Sequence, residues 1–116
     1  MVSSSTSTET PSELEVLYDQ YEQLYDNGKY NEAITVLEKT LALEEIELGP
    51  EHINVAWSLH NLAGLYRDQA RYAEAEPLYQ RALAIEEKAL GPDDPGVATT
   101  LHNLAGLYRD QARYAE

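Results

Sequence analysis

The chain has 116 residues and a formal net charge of −13 at pH 7, with 43% hydrophobic residues and no cysteine. This length suits one modest domain, and the absence of cysteine excludes disulfides and thiolate chemistry. The acidic charge argues against nucleic acid and anionic membranes as partners, because both demand a basic surface. Without a membrane-length apolar run or a signal-peptide pattern, we expect a cytoplasmic chain whose partners are proteins or peptides.

The N-terminal end of the chain divides into a leader and the beginning of a helical domain. Residues 1–9 are almost all Ser, Thr and Glu, which predicts a disordered leader, with the domain over 10–116. Thr10 is a candidate N-cap for a first helix over about 11–26. Asn27-Gly28 then predicts a left-handed stop before a second helix over about 29–48.

The centre of the chain has the pattern of a helical hairpin. Two sets of apolar residues step by three and four, which indicates helices with one buried face. The first set is Val55, Leu59, Leu62, Ala63, Tyr66 and Ala70, and the second is Ala75, Tyr79, Ala82, Leu83, Ile85 and Ala89. Pro77 lies near the start of its helix and predicts a slight bend. Asp94-Pro95 predicts a capped start for the next helix.

A long segment of the sequence occurs twice. Residues 60–74 return letter for letter at 102–116, an offset of 42 residues, and a weaker copy precedes them. A fixed period of this size indicates stacked supersecondary units. We therefore predict repeat one over about 11–50, repeat two over about 53–92 and a partial repeat three over about 95–116.

The repeated residues carry a family resemblance. Asn61-Leu62-Ala63, Tyr66, Tyr72, Ala75, Tyr79 and Ala82-Leu83 resemble the tetratricopeptide repeat, and the 42-residue length is similar to the repeats of kinesin light chains. The resemblance implies an all-α fold, a right-handed superhelix of stacked antiparallel helix hairpins. It also implies a scaffold that binds proteins, with no cofactor and no metal.

The same resemblance implies a concave groove lined by the first helix of each repeat. The implied groove residues are Glu15, Tyr18, Asp19, Glu22, Tyr25 and Asp26 in repeat one; Trp57, His60, Asn61, Gly64, Arg67 and Asp68 in repeat two; and Thr99, His102, Asn103, Gly106, Arg109 and Asp110 in repeat three. In related domains the asparagine contacts the backbone of a bound peptide, work for which an amide can both donate and accept.

Each groove residue type also has a structural interpretation. Asn61 and Asn103 could instead bond to one another's helix across the stack. Arg67 and Arg109 could recognise a carboxylate, or could be solvated or paired with the neighbouring aspartates. Trp57 could anchor a peptide side chain or fill space between repeats.

The paired glycines and histidines of the groove admit fewer interpretations. Gly64 and Gly106 each cost ~1 kcal/mol against alanine in a helix, so either a neighbouring helix or a ligand backbone should approach closely. His60 and His102 lack companions at ligand spacing, which argues against a metal site.

Acidic residues concentrate in the first repeat. Residues 11–48 contain ten acidic residues and two lysines, whereas 53–90 contain five acidic and four basic residues. Such a gradient would orient a bound peptide with its basic end over repeat one and its acidic or polar end over repeats two and three. The alternative is that these acids maintain solubility.

A second functional hypothesis follows from the last helix. Val97, Leu101, Leu104, Leu107 and Tyr108 form an apolar stripe without a following helix in this sequence to cover it, which predicts self-association into a homo-oligomer. A milder alternative is that this helix caps the previous hairpin.

Catalysis is the weakest hypothesis, because the sequence lacks a paired nucleophile and base, a phosphate loop and a metal cluster. We predict that Glu44-Glu45 and Glu86-Glu87 lie on solvated helix faces. We also predict that Ala70 and Ala112 occupy turns where the family commonly has glycine, at a cost of ~1 kcal/mol each if φ is positive.

Overall fold

The computed structural model describes residues 12–115, with side chains from 12 to 113, and this range consists of five helices joined by short turns. The helices are α1 (Glu13–Asp26), α2 (Tyr30–Glu47), α3 (Ile53–Asp68), α4 (Tyr72–Leu90) and α5 (Pro95–Ala115). The described residues contain no strand, which confirms the all-α prediction. None of these helices is both long and apolar enough to cross a membrane. The predicted leader and Thr10 lie outside the described residues.

The first helix begins two residues later than predicted. Ser12 is the N-cap of α1: its Oγ accepts a hydrogen bond from the Glu15 amide at 3.2 Å. The Glu15 carboxylate accepts one from the Ser12 amide at 2.9 Å. This reciprocal capping box satisfies two helix-end donors at once, which favours a helix start at Ser12.

Each helix packs against the next one in the sequence: α1 on α2, α2 on α3, α3 on α4 and α4 on α5. Small side chains mark the close approaches: Ala33, Ala63 and Ala75 are wholly buried in one cluster with the rings of Tyr66 and Tyr79. Large rings opposite methyl groups fill the space between helices at native density. The result is an α-solenoid, as predicted, and α4 runs through Pro77 unbroken.

Two turns between paired helices require positive φ. Gly28 has φ +74° between α1 and α2, and Ala70 has φ +61° at the equivalent place between α3 and α4. The Arg71 amide closes the second turn by donating to the Tyr66 carbonyl at 2.8 Å. The prediction for Ala112 is wrong, because residues 111–113 continue α5 as helix.

The prediction of solvated glutamates is wrong for one residue of each pair. Glu44 is wholly buried and Glu86 is nearly so. Glu44 Oε2 accepts a 2.6 Å hydrogen bond from Tyr18, and Glu86 Oε1 accepts one of 2.6 Å from Thr100. These hydrogen bonds offset part of the cost of burying a carboxyl group.

The last helix caps the previous hairpin with one face and exposes another. Val97, Leu104 and Leu107 are buried, so the prediction that these three belong to an exposed stripe is wrong. Leu101 is 47% exposed and Tyr108 is 43% exposed. Together with exposed Ala98 and Ala105 they form a continuous surface, the α5 stripe (Ala98, Leu101, Ala105 and Tyr108).

Candidate functional site

A cleft of about 510 Å³ lies between α1 and α3. Its lining residues are Tyr21, Glu22, Tyr25, Asp26, Trp57, His60, Asn61, Gly64, Leu65, Arg67, Asp68, Tyr79 and Asn103. The lining residues come mainly from the first helices of repeats one and two, so we name it the α1–α3 cleft. A volume of this size is typical of ligand-binding pockets.

Aromatic rings form one wall of the α1–α3 cleft. The ring centroids of Tyr21 and Trp57 are 6.5 Å apart at an interplanar angle of 82°, and those of Tyr21 and Tyr25 are 5.8 Å apart. Burial raises the pKa of Tyr21 to about 12, so its hydroxyl stays neutral. Trp57 remains 55% exposed despite its contact with Tyr21. An indole that contacts one ring and is half exposed offers apolar surface to a ligand.

The cleft also carries three carboxylates without an ion-pair partner among the described side chains, which we call the free carboxylates: Glu22, Asp26 and Asp68. The charge of Arg67 is compensated, because its Nε lies 2.9 Å from Asp110 Oδ2. Burial acts to lower the pKa of Arg67, but the bond to Asp110 and its charge outweigh burial, and the pKa is raised. The cleft is therefore net acidic.

A histidine and an asparagine join repeats two and three. Asn103 Nδ2 lies 2.9 Å from His60 Nε2, and the His60 ring meets the Tyr79 ring edge-on with centroids 5.6 Å apart. Burial lowers the pKa of His60, which keeps the ring neutral at pH 7, so Nε2 accepts the hydrogen bond from Asn103. Asn61 differs: its Nδ2 is buried without a hydrogen-bond partner.

The two groove glycines have different surroundings. A Cβ built on Gly106 would lie 2.7 Å from Arg67 Nη2, whereas one on Gly64 would find only the Tyr79 hydroxyl at 3.8 Å. A neighbouring side chain therefore accounts for the close approach at Gly106. Gly64 leaves space on the cleft floor instead.

Tyr18 and Asp19 lie outside the α1–α3 cleft. Tyr18 lines a second cavity of about 420 Å³ with Glu22, Glu44, Asn54 and Trp57. Burial first, and the bond to Glu44 second, raise the pKa of Tyr18 to about 12. Asp19 is exposed and accepts a hydrogen bond from its helix neighbour Gln23 at 3.0 Å.

The structure thus brings together the groove residues predicted from repeat two. Of those predicted from repeat three, only Asn103 lines the cleft, whereas Thr99, His102 and Arg109 are exposed elsewhere on α5. The sequence interpretation missed Tyr21, Leu65 and Tyr79. Tyr21 had a signal, because it replaces the small residue found at Ala63 and Ala105.

The chain belongs to the tetratricopeptide repeat family, whose model matches residues 22–85 and 60–116. Repeats of this family mediate protein–protein interactions, and the fold is typically a non-catalytic scaffold. Within the family, the chain is of the kinesin light chain-like type.

Solved structures and curated relatives share this repeat. A crystal structure of a kinesin light chain-like protein from Podosopora anserina with nearly identical TPR-like repeats covers 90% of the chain at 30% identity, with a TM-score of 0.71. A point variant of that protein gives a TM-score of 0.72. Nephrocystin-3 of Xenopus tropicalis is 41% identical over 64 residues, 52% of this chain, and that of Mus musculus is 43% identical over 54 residues, 43% of this chain.

The chain is short beside these proteins. It spans about half of the Podosopora anserina structure. It spans only 5% of Nephrocystin-3 from Xenopus tropicalis and 4% of that from Mus musculus.

Proposed function

We propose that the chain is a protein interaction module that binds a peptide, or an extended segment of a partner protein, in the α1–α3 cleft. The observation that carries the proposal is the unpartnered amide of Asn61 within a cleft of about 510 Å³. A buried donor without an acceptor is costly, and a peptide carbonyl would satisfy it once the Asn61 side chain turns toward the cleft, because Nδ2 is covered in the free chain. Trp57, at 55% exposed, offers an apolar contact beside this donor.

Selection from a random peptide library, followed by titration calorimetry, tests this proposal. We expect Trp57→Ala to weaken a selected peptide about tenfold or more, because half-open aromatic residues are common hot spots. Ile46→Ala is the matched control, since Ile46 is 81% exposed and does not line the cleft. Peptides that bind equally well to the wild type and to the Trp57 and Asn61 variants would argue against the cleft as the site.

A second candidate function, self-association, is favoured by the α5 stripe. Small and large side chains alternate along it, so the stripes of two antiparallel helices can interleave. In α3 the equivalent residues Ala56, Leu59 and Ala63 are wholly buried. The same side chains therefore already form one close helix contact within this chain.

Sedimentation velocity over a range of protein concentrations tests self-association. We expect a concentration-dependent dimer that Leu101→Glu abolishes, because a charge in the middle of an apolar contact leaves an uncompensated desolvation cost. Thr99→Glu, on an exposed position of the same helix outside the stripe, should leave the dimer intact. A chain that remains monomeric at every concentration would exclude this function.

A further inference from the structure

The junction between α3 and α5 is closed by polar pairs that the junction between α1 and α3 lacks. His60 meets Asn103 at 2.9 Å and Arg67 meets Asp110 at 2.9 Å, so each pair joins residues 43 positions apart. The Arg67 side chain also lies over Gly106, and this fills the groove there. The Asp110 carboxylate therefore already balances the charge of Arg67.

At the first junction the repeat register puts different residues in the same places. Counting back 42 residues from His60 and Arg67 gives Tyr18 and Tyr25. Tyr18 donates its hydroxyl to buried Glu44 rather than to Asn61, and Tyr25 brings no positive charge to Asp68. Asn61 and Asp68 therefore lack the partners that Asn103 and Asp110 have.

Because these partners are absent at the first junction, the α1–α3 cleft remains acidic and aromatic. The three free carboxylates lie around the α1–α3 cleft with the rings of Tyr21, Tyr25 and Trp57, and the basic side chain lining it, Arg67, is already neutralised. Cations are attracted both to carboxylates and to the faces of aromatic rings. A guanidinium combines a planar surface that stacks on an indole with a fork that matches a carboxylate, so it suits this arrangement better than an ammonium.

We propose that the α1–α3 cleft selects basic segments, with an arginine side chain of the bound peptide lying against Trp57 beside Glu22, and a further basic side chain beside Asp26 and Asp68 at the other end of the cleft. The Asn61 amide donates to a backbone carbonyl of the same peptide. This inference rests on the proposed peptide-binding function. It adds the chemical class of the ligand and the part of the groove, the α1–α3 cleft, that recognises it. The predicted acidic end of the peptide has no free basic partner in the cleft.

Trp57 is the single tryptophan of the chain, so its fluorescence reports directly on the cleft. The probe is a capped tetra-arginine peptide, titrated against the whole chain with capped tetralysine and tetraglutamine for comparison. We expect a saturable change with tetra-arginine, weaker binding of tetralysine, and no binding of tetraglutamine. Asp68→Asn should raise the dissociation constant of tetra-arginine about fivefold, the upper range for an exposed charge pair.

The charge-matched control is Asp93→Asn, because Asp93 is exposed and does not line the cleft. Equal weakening by both variants would mean unspecific attraction to an acidic chain and would overturn the inference. So would equal binding of tetraglutamine, or no binding of tetra-arginine. If library-selected peptides still depend on Trp57 and Asn61 in those cases, the peptide-binding function stands and only its basic selectivity is wrong; if no peptide binds, both fail.

Discussion

Replacing Leu59 with alanine is expected to lower the free energy of unfolding by about 2–5 kcal/mol, whereas Leu101→Ala should change it by less than about 0.5 kcal/mol. The two leucines occupy the same place in consecutive repeats. Leu59 is wholly buried in a cluster with Val55, Ala56 and Ile85, so its loss leaves a cavity. Leu101 is 47% exposed on the α5 stripe.

Urea unfolding followed by circular dichroism measures both variants. Low protein concentration is essential, because self-association would bury Leu101 and enlarge the effect of its replacement. The two changes in the free energy of unfolding are compared with each other. Since both variants lose the same atoms, a difference between them reports the difference in burial. Similar losses at low concentration would contradict the description of α5 as a helix with one uncovered face.

Replacing alanine with glycine is expected to change the free energy of unfolding in opposite directions at Ala70 and Ala112, which occupy equivalent positions in the repeated segment. Ala70→Gly should raise the free energy of unfolding by about 1 kcal/mol, because Ala70 has φ +61° and glycine adopts this conformation without a Cβ clash. Ala112→Gly should lower it by up to about 1 kcal/mol, because Ala112 lies within α5 and glycine is a poor helix former.

The same unfolding measurement, with helix content read before urea is added, checks this pair. Gly28→Ala is a third variant that should mimic the strain at Ala70, since Gly28 has φ +74° at the equivalent turn. It should destabilise the chain by about 1 kcal/mol. A stabilising effect of Ala112→Gly would contradict the helix over residues 111–113 and would indicate a turn like that of the identical residues 69–71.

The repeated segment shows where prediction from sequence succeeds and where it stops. Periodicity and the 42-residue offset predicted the helices and their stacking, because burial of one helix face is a local property of the sequence. The backbone conformation of residues 69–71 and 111–113 was not predictable in this way. Their letters are identical, yet the first set turns and the second stays helical. In repeat two, α4 packs back on α3, and this contact stabilises the strained turn.

The groove was predictable as a list of positions but not as a set of contacts. The helical spacing placed Trp57, His60 and Asn61 on one face, and the structure brings them together in one cleft. Spacing could not reveal that Arg67 reaches Asp110 in the next repeat. That contact depends on the space that Gly106, which has no side chain, leaves for the Arg67 guanidinium. The burial of Glu44 likewise depends on Tyr18, a residue 26 positions away.

The polar pairs at the α3–α5 junction bear on how such a protein lengthens during evolution. Each pair joins a histidine or arginine of one repeat to an asparagine or aspartate of the next. A tandem duplication of one 42-residue unit in the gene therefore supplies both halves of a new junction in a single event. The first junction has Tyr18 and Tyr25 in the places of His60 and Arg67, so it does not contain these pairs.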